Sequence, residues 1–199
     1  MTRAWVRQTV GIVALSLLLG ACADTGDSSG VPGATRSGGK SPAGIPDDAD
    51  RAEVLAVTDG DTISVRIEDG VAREPVRFIG VDTPEKPGGN RPPECYGAEA
   101  SQRTATMLPP GAEVFLERDT TDRDRFDRLL RYVWYIDARN GRAVLANEAL
   151  VREGYAIART YPPDDLYADR LARAEDAAQA QDAGLWAACG GADTPLGDS

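Results

Sequence analysis

The fold of this chain is most constrained by a series of short apolar runs, each of which ends at a turn sequence. The first two runs flank Asp59-Gly60, a residue pair that is typical of the turn in a β-hairpin. In the second run, Ile63, Val65 and Ile67 alternate with polar residues, as in a strand with one buried face. We predict five strands, at residues 53–57, 62–67, 75–81, 113–117 and 129–136.

Helices are predicted between and after these strands, over residues 97–108, 145–153 and 166–183. Gly154 and Gly184 follow the last two helices as their C-terminal stops. Three strands, a helix, two strands and two helices predict an α+β fold that is mainly β. A small five-stranded barrel of the OB-fold type, packed by about three helices, fits this order best.

The N-terminus has the layout of a bacterial lipoprotein signal peptide. Arg3 and Arg7 precede an apolar stretch over residues 10–19, which is too short to span a bilayer as a helix. The run Leu19-Gly20-Ala21-Cys22 resembles a lipobox, which implies that Cys22 is lipidated after removal of residues 1–21. A plain secretory signal with an incidental cysteine is the alternative.

Residues 22–50 are predicted to be the lipidated cysteine and a disordered tether. Gly, Ser and Pro make up 13 of the 28 residues that follow Cys22. A segment so poor in apolar residues buries too little surface to offset the entropy cost of ordering. We place the folded domain at residues 51–190 and a flexible C-terminal tail at residues 191–199.

The 199-residue sequence contains no histidine. This chain alone therefore cannot form a Ser-His-Asp triad, a Cys-His dyad or a His-ligated zinc site. The formal net charge is −10, which disfavours tight non-specific binding to nucleic acid. Acid–base chemistry near neutral pH is therefore expected to use carboxylates, tyrosines, lysines or arginines.

Three polar clusters stand at or beside the ends of predicted strands. They are DGDT at residues 59–62, RFIGVDTPE at residues 77–85 and DRFDR at residues 124–128. Each is common alone, but in this order and on this strand plan they resemble the staphylococcal nuclease (thermonuclease) family. The resemblance covers residues 52–190 and continues through Gly97-x-Glu99-Ala100, the run at 147–154 and Gly184-Leu185-Trp186.

The resemblance implies a calcium site in the first two clusters. By position in the motifs, Asp61 and Asp82 match the family's calcium-ligating carboxylates. Thr83 matches the residue whose backbone carbonyl joins them. Carboxylates and carbonyls are hard oxygen ligands, which suit Ca²⁺ and not Zn²⁺.

The resemblance also implies the groups that act on the phosphodiester. Arg77 and Arg128 match the two arginines that bind the reacting phosphate, where guanidiniums stabilise the charge that builds up on its oxygens. Glu85 matches the glutamate beside the attacking water, which it orients or deprotonates.

Two features of the second cluster bear on its geometry. Arg77 and Asp82 have opposite parity along a strand and would point to opposite faces of the sheet. We therefore predict an irregular backbone at Gly80, between them. The loop at residues 86–94 has its own length and sequence, so no contact of this loop is predicted.

Several residues depart from the family's pattern. Phe126 stands where a tyrosine is frequent, and Asp127 stands in a slot often held by glycine, where it is placed to pair with Arg128. Arg159 replaces an aromatic residue that the resemblance assigns to stacking on the substrate base, and Tyr161 retains the second aromatic position. We predict that Arg159 and Tyr161 bind substrate; packing of Tyr161 beneath the following Pro-Pro turn is the alternative.

One of the three cysteines, Cys22, lies in the lipobox-like sequence, and the other two lie in the predicted folded domain. If Cys22 carries lipid, Cys95 and Cys189 remain, and an extracytoplasmic location permits a disulfide between them. Two free buried thiols are the alternative.

The leading hypothesis is a calcium-dependent nuclease of low sequence selectivity, acting on DNA, RNA or both outside the cytoplasm. A lipid on Cys22 would anchor it to the membrane, or it is secreted, and no protein partner is inferred. One alternative is a catalytically weak or inactive OB-fold module that binds nucleic acid or another anionic polymer at the cell envelope. A second is an adaptor lipoprotein that uses the fold as a scaffold and does not bind calcium.

Overall fold

The computed structural model describes residues 41–68, 70, 73–89 and 91–196. In these residues the strands are β1 (Asp50–Asp59), β2 (Thr62–Ile67), β3 (Glu74–Phe78), β4 (Val81–Asp82), β5 (Glu113–Glu117), β6 (Leu129–Asp137), β7 (Arg142–Leu145) and β8 (Ile157–Ala158). The helices are α1 (Gly97–Met107), α2 (Ala146–Arg152), α3 (Ala168–Ala180) and α4 (Leu185–Cys189).

Five of the strands close into a barrel. β1, β2 and β3 form an antiparallel meander, β1 also pairs with β5, and β5 pairs with β6. The first part of β6 pairs in parallel with β3, with Arg77 opposite Leu130, and this pairing closes the sheet on itself. The predicted five-stranded OB-fold barrel, in an α+β fold that is mainly β, is confirmed.

The core lies inside the barrel and extends beneath the helices. Ile63 and Val65 of β2 and Val133 of β6 are fully buried, as the alternation in the sequence predicts. Leu150 of α2 and Leu171 of α3 are also fully buried and join the same core. Removing water from these apolar side chains is the main force that holds the helices on the barrel.

The small strands differ most from the sequence prediction. The third strand ends at Phe78, and the chain turns before the short β4, which pairs with β8 outside the barrel. β7 was not predicted; it extends the sheet beside β6 through four residues, too few to give a clear alternation.

The last predicted helix, at residues 166–183, corresponds to α3, and α4 was not predicted. α3 ends at Ala180, and Gly184 precedes α4 instead of ending α3. Gly184 has φ +56° and packs against the backbone of Gly154, where φ is +74°. A Cβ on Gly154 would lie 2.1 Å from the carbonyl oxygen of Ala183, so both glycines are needed for this close approach.

The two ends of the folded domain are more ordered than predicted. Ile45, placed in the tether, is buried in the core with 6% of its surface exposed. In the predicted tail, Thr194 accepts a hydrogen bond from the Cys95 N–H, and Pro195 forms a β-bridge with Glu94. These short segments pack through contacts with residues that are distant in sequence.

The segments that bear on targeting lie outside the described residues, namely the predicted signal peptide at 1–21 and Cys22. No helix in the part of the chain that the structure describes is long and apolar enough to cross a bilayer. Cys95 and Cys189 form a disulfide, as predicted, and it joins the start of α1 to α4.

Candidate active site

The β1–β2 hairpin positions Asp61 at one end of the barrel. The side chain of Asp59 accepts a hydrogen bond from the Asp61 N–H at 3.2 Å, as expected of an Asp-Gly turn. A Cβ on Gly60 would lie 2.6 Å from the Thr83 hydroxyl oxygen, so only glycine allows Thr83 to approach. The buried Thr104 hydroxyl of α1 donates to the Gly60 carbonyl at 2.6 Å and fixes the turn.

The predicted irregularity at Gly80 is confirmed. Its φ is +74°, between β3 and β4, and a Cβ at this position would lie 2.6 Å from a methyl carbon of Leu171. Asn147 holds the turn from below, since its buried amide donates to the Ile79 carbonyl at 2.8 Å. Because of this turn, Arg77 and Asp82 meet on one side of the sheet.

Arg77 bridges the two aspartates. Its Nη1 lies 2.7 Å from Asp61 Oδ2, and its Nη2 lies 3.1 Å from Asp82 Oδ1. Nη1 also donates to the carbonyls of Phe78 and Val81, at 3.3 and 3.0 Å. Only 16% of the Arg77 side chain is exposed, so this guanidinium neutralises charge in a site largely removed from water.

Burial raises the pKa of Asp61 to about 6, opposed by Arg77 and reinforced by the nearby carboxylate of Asp59. The pKa of Asp82 is also raised, mainly by burial, while Arg77 and Arg159 lower it. Both shifts mean that these two carboxylates need more positive charge beside them than the folded chain supplies.

The donor set fits a hard cation. Asp61 and Asp82 share one guanidinium, and Thr83 contacts Asp61 through its N–H at 3.1 Å and its hydroxyl at 3.2 Å. Among the described residues there is no cluster of three or more His, Cys, Asp or Glu side chains with metal-binding geometry. The residues that could hold a cation are therefore two carboxylates with backbone oxygen, a hard-oxygen set.

Arg128 reaches the same site from the loop before β6. Its Nε and Nη2 each lie 2.7 Å from Asp124 Oδ2, and its Nη1 donates to the Thr62 hydroxyl at 3.4 Å. Thr62 in turn donates to Asp61 Oδ1 at 3.1 Å, which links the loop to the buried carboxylate.

The expected pairing of Asp127 with Arg128 is wrong. Asp127 has φ +63°, and its carboxylate faces Arg123 at 3.6 Å, while Asp124 holds Arg128. The neighbouring Phe126 is 63% exposed, with its ring 5.5 Å from the Arg128 guanidinium carbon.

Glu85 follows β4 and lies at the start of the 86–94 loop. Its pKa is raised, first by burial and then by the carboxylates of Asp61, Glu94 and Asp82, while Arg91 lowers it. Arg91 Nη1 lies 2.7 Å from Glu85 Oε1. The negative charge of the aspartate pair therefore acts on Glu85, whose carboxylate accepts a proton more readily than that of an ordinary surface glutamate.

Arg159 and Tyr161 lie at the far side of Asp82. Arg159 Nη1 is 3.2 Å from Asp82 Oδ2, so this arginine adds a second cation to the carboxylate pair. The pKa of Arg159 is raised by its hydrogen bond to Tyr161 and by the carboxylate of Asp82, while burial opposes the rise. Tyr161 is 60% exposed, which excludes the alternative in which it is packed beneath the Pro-Pro turn.

The structure thus joins Asp61, Arg77, Asp82 and Thr83 directly, brings in Arg128 through Thr62, and sets Glu85 within electrostatic reach. Sequence reasoning missed the residues that hold these groups, namely Asp124, Arg91, Glu94 and Asp193. For Asp124 the sequence did carry a signal. In a segment rich in turns, an Asp four residues before an Arg often accepts hydrogen bonds from backbone N–H groups of the loop and pairs with that Arg. The other three act across the fold, and no local pattern marks them.

Comparison with known proteins gives consistent results. Residues 75–188 match the family model described as Staphylococcal nuclease homologue. The chain is 40% identical over 134 residues to the thermonuclease of Staphylococcus hyicus, which is 67% of this chain and 74% of that protein. It is 40% identical over 133 residues to the thermonuclease of Staphylococcus intermedius, with the same coverage of both chains. It is also 34% identical over 154 residues to endonuclease YncB of Bacillus subtilis (strain 168), which is 74% of this chain and 69% of that protein.

Proposed function

Because the chain belongs to the staphylococcal nuclease family, we propose that this nuclease depends on calcium and acts outside the cytoplasm on DNA, RNA or both. The observation that carries the proposal is the Asp61–Arg77–Asp82 cluster, in which two buried carboxylates share one guanidinium. Such a cluster has oxygen ligands for a divalent cation and an arginine for phosphate in one place.

The metal proposal rests on charge and ligand type. Burial raises the pKa of Asp61 to about 6, so a second cation beside Asp61 and Asp82 would favour their charged forms. When bound there, Ca²⁺ would screen both carboxylates and polarise a phosphoryl oxygen. Asp61, Asp82 and the Thr83 carbonyl are the groups that would hold it.

The arginines supply the phosphate contacts. Arg77 and Arg128 can each donate two hydrogen bonds, a geometry that matches the non-bridging oxygens of a phosphodiester. Their contribution is largest in the transition state, where attack by water increases the negative charge on these oxygens. Since phosphate contacts carry no sequence information, the enzyme is expected to have low sequence selectivity.

Glu85 is proposed to orient the attacking water and take its proton. Its raised pKa makes the carboxylate a better base than an exposed glutamate, and its position beside the aspartate pair puts it near the phosphate. Arg91 must leave the Glu85 carboxylate for this role, which its exposed side chain allows.

Substrate binding beyond the reacting phosphate is assigned to Arg159 and Tyr161. Arg159 already lies on Asp82, and the exposed ring of Tyr161 can stack on an unpaired base. With a net charge of −10, the chain is expected to bind nucleic acid weakly away from this cleft and to depend strongly on its bound cation.

Location outside the cytoplasm is supported by two features. The sequence at residues 1–22 resembles a lipoprotein signal with its cysteine, and Cys95 and Cys189 form a disulfide, which persists in oxidising compartments. Cell fractionation tests the anchor: Cys22→Ala should move the protein from the membrane fraction to the soluble extracytoplasmic fraction. An unchanged distribution would contradict the lipid anchor.

The activity is tested by incubating the purified chain with single-stranded DNA or RNA, with Ca²⁺ or with a chelator. We expect degradation with Ca²⁺ only, and equal degradation with the chelator would overturn the metal role. Glu85→Gln should lower turnover by about 100-fold or more. Glu113→Gln is the matched control, because this exposed glutamate of β5 forms an ion pair with Arg51, near the end of β1 that is far from Asp61, and should leave turnover unchanged.

A further inference from the structure

The residues from 190 to 196, here called the C-terminal strap, run along residues 93–95, at the end of the 86–94 loop. The Cys95 N–H donates to the Thr194 carbonyl at 2.8 Å, and the Leu196 N–H donates to the Pro93 carbonyl at 3.2 Å. The disulfide between Cys95 and Cys189 ties the start of the strap to the same segment. The strap is therefore fixed to this segment by one covalent bond and two backbone hydrogen bonds.

The segment held by the strap carries Glu94, which binds the backbone of Glu85 in both directions. The Glu94 N–H donates to the Glu85 carbonyl at 2.8 Å, and the Glu85 N–H donates to Glu94 Oε2 at 2.9 Å. The Glu94 side chain is 18% exposed, so water competes little for these bonds. The two glutamates stand at opposite ends of the loop, and their bonds close it.

Close packing adds to this attachment. A Cβ on Gly97 would lie 2.1 Å from the Glu85 carbonyl oxygen, so the first turn of α1 rests directly on the Glu85 backbone. The loop is rich in glycine and proline, and its described residues, 86–89 and 91–94, form no helix or strand beyond the isolated bridge at Glu94. The backbone of Glu85 is therefore held by contacts with Glu94 and Gly97, in addition to the ion pair that Arg91 of the loop makes with its carboxylate.

We propose that Glu94 is a positioning residue for the nuclease reaction, and that the disulfide-linked C-terminal strap holds it against Glu85. This inference rests on the proposed function, because it assigns a role to the backbone that carries the general base. Its physical basis is that a base displaced by about 1 Å from the attacking water loses much of its effect.

The strap also touches the other side of the site. Asp193 Oδ2 lies 3.4 Å from Arg159 Nη2, and Arg159 in turn lies on Asp82. The strap thus contacts the holders of both Glu85 and Asp82, which places the C-terminal end of the domain within the architecture of the active site.

The test compares Glu94→Gln with Glu94→Ala in the full chain, on single-stranded DNA with Ca²⁺. The glutamine oxygen can still accept the Glu85 N–H, so Glu94→Gln should keep kcat within about 3-fold of wild type. Glu94→Ala removes the acceptor and should lower kcat by about 10- to 100-fold with KM changed little. A purely structural role would lower the melting temperature of both variants without separating their kcat values.

Glu153→Ala is the matched control. It removes a glutamate that pairs with Arg103 at 2.6 Å, between α1 and the end of α2, and should lower the melting temperature without changing kcat. If Glu94→Ala and Glu94→Gln have equal kcat while wild type cleaves, the positioning role is overturned and the nuclease function stands. If wild type itself does not cleave, the proposed function fails, and this inference fails with it.

The strap is tested by replacing both Cys95 and Cys189 with serine. Assayed at a temperature where circular dichroism shows the variant to be folded, kcat should fall while KM stays near the wild-type value. A folded double-serine variant with full kcat would overturn the role of the strap.

Discussion

The two arginines assigned to phosphate binding, Arg77 and Arg128, stand in different surroundings. Arg77 is 16% exposed, and its donors are used by two carboxylates and two backbone carbonyls at the turn between β3 and β4. Arg128 is 28% exposed, is held by the single carboxylate of Asp124, and has a long contact of 3.4 Å to Thr62. The first arginine is part of the folded interior, and the second is presented by a loop.

Because of this difference, the effect on stability and the effect on activity can be separated by comparing variants at the two positions. Removing Arg77 leaves two carboxylates without their main cation, whereas removing Arg128 leaves one carboxylate, Asp124, which still accepts hydrogen bonds from two backbone N–H groups. We therefore expect the two positions to have similar effects on turnover but different effects on the free energy of unfolding.

The largest expected effect is that of Arg77→Ala. It should lower kcat by at least about 1,000-fold and the free energy of unfolding, measured by urea denaturation in the presence of a chelator, by about 3 kcal/mol. Arg77→Lys, which keeps the charge but not the two-pronged donor, should recover much of the stability and little of the activity. An Arg77→Ala protein as stable as wild type would contradict the buried role of this arginine.

Arg128→Ala should lower kcat by about 100- to 1,000-fold, the usual result of losing one donor to the transition state. Its free energy of unfolding should change by less than about 1 kcal/mol, because Arg128 is 28% exposed and Asp124 keeps its two backbone N–H donors. Steady-state kinetics and urea denaturation measure the two quantities on the same preparation. A loss of stability as large as that of Arg77→Ala would remove the distinction between the two regions.

Asp124 tests whether the loop arginine needs its partner. Asp124→Ala removes the acceptor for the N–H groups of Phe126 and Arg128 as well as the ion pair, and should lower kcat by about 10-fold through a displaced Arg128. Asp124→Asn keeps an oxygen for the two N–H groups and should lose less. Equal activity of the alanine and wild-type proteins would show that the loop orients Arg128 without Asp124.

The smallest effect on stability is expected at Asp122, in the loop before β6 that carries Arg128. Asp122 Oδ1 accepts a hydrogen bond from the buried Arg131 at 2.7 Å. This hydrogen bond lowers the pKa of Asp122, opposed by burial and assisted by the charges of Arg131, Arg118 and Arg123. The stability contributed by Asp122 is therefore present above the unfolded pKa of about 3.9 and is lost as the pH falls through the lower folded value.

Asp122→Asn removes this titration. Acidification from pH 5 to pH 3, roughly the window set by the lowered pKa, should lower the free energy of unfolding less in the variant than in wild type. The difference between the two losses should be under about 1 kcal/mol. Thermal unfolding across that window measures the difference. Identical pH profiles for the two proteins would show that the Asp122–Arg131 pair does not stabilise the loop.

The sequence predicted what depends on local geometry. Asp-Gly at residues 59–60 marked the hairpin, and opposite parity of Arg77 and Asp82 required the turn found at Gly80. These predictions succeeded because a turn or a change of sheet face is set by residues within a few positions of each other.

The partners of the site residues could not be predicted in this way. Adjacency in sequence placed Asp127 beside Arg128, but its left-handed backbone turns the carboxylate toward Arg123. Glu94 binds Glu85 from the other end of the loop, and the neighbouring Pro93 and Cys95 bind a segment near the end of the chain. Such contacts depend on tertiary packing, which periodicity and turn signals do not encode.

The parallel pairing of β3 with β6 has a consequence for the order in which the enzyme becomes competent during synthesis. A growing chain releases β1, β2 and β3 first, so Asp61, Arg77, Asp82 and Glu85 emerge well before Arg128. Arg128, the second arginine proposed to bind phosphate, reaches them only when β6 docks beside β3, and Cys189 can pair with Cys95 only later still. A truncated chain that ends before β6 therefore lacks Arg128, one of the two arginines proposed to bind phosphate.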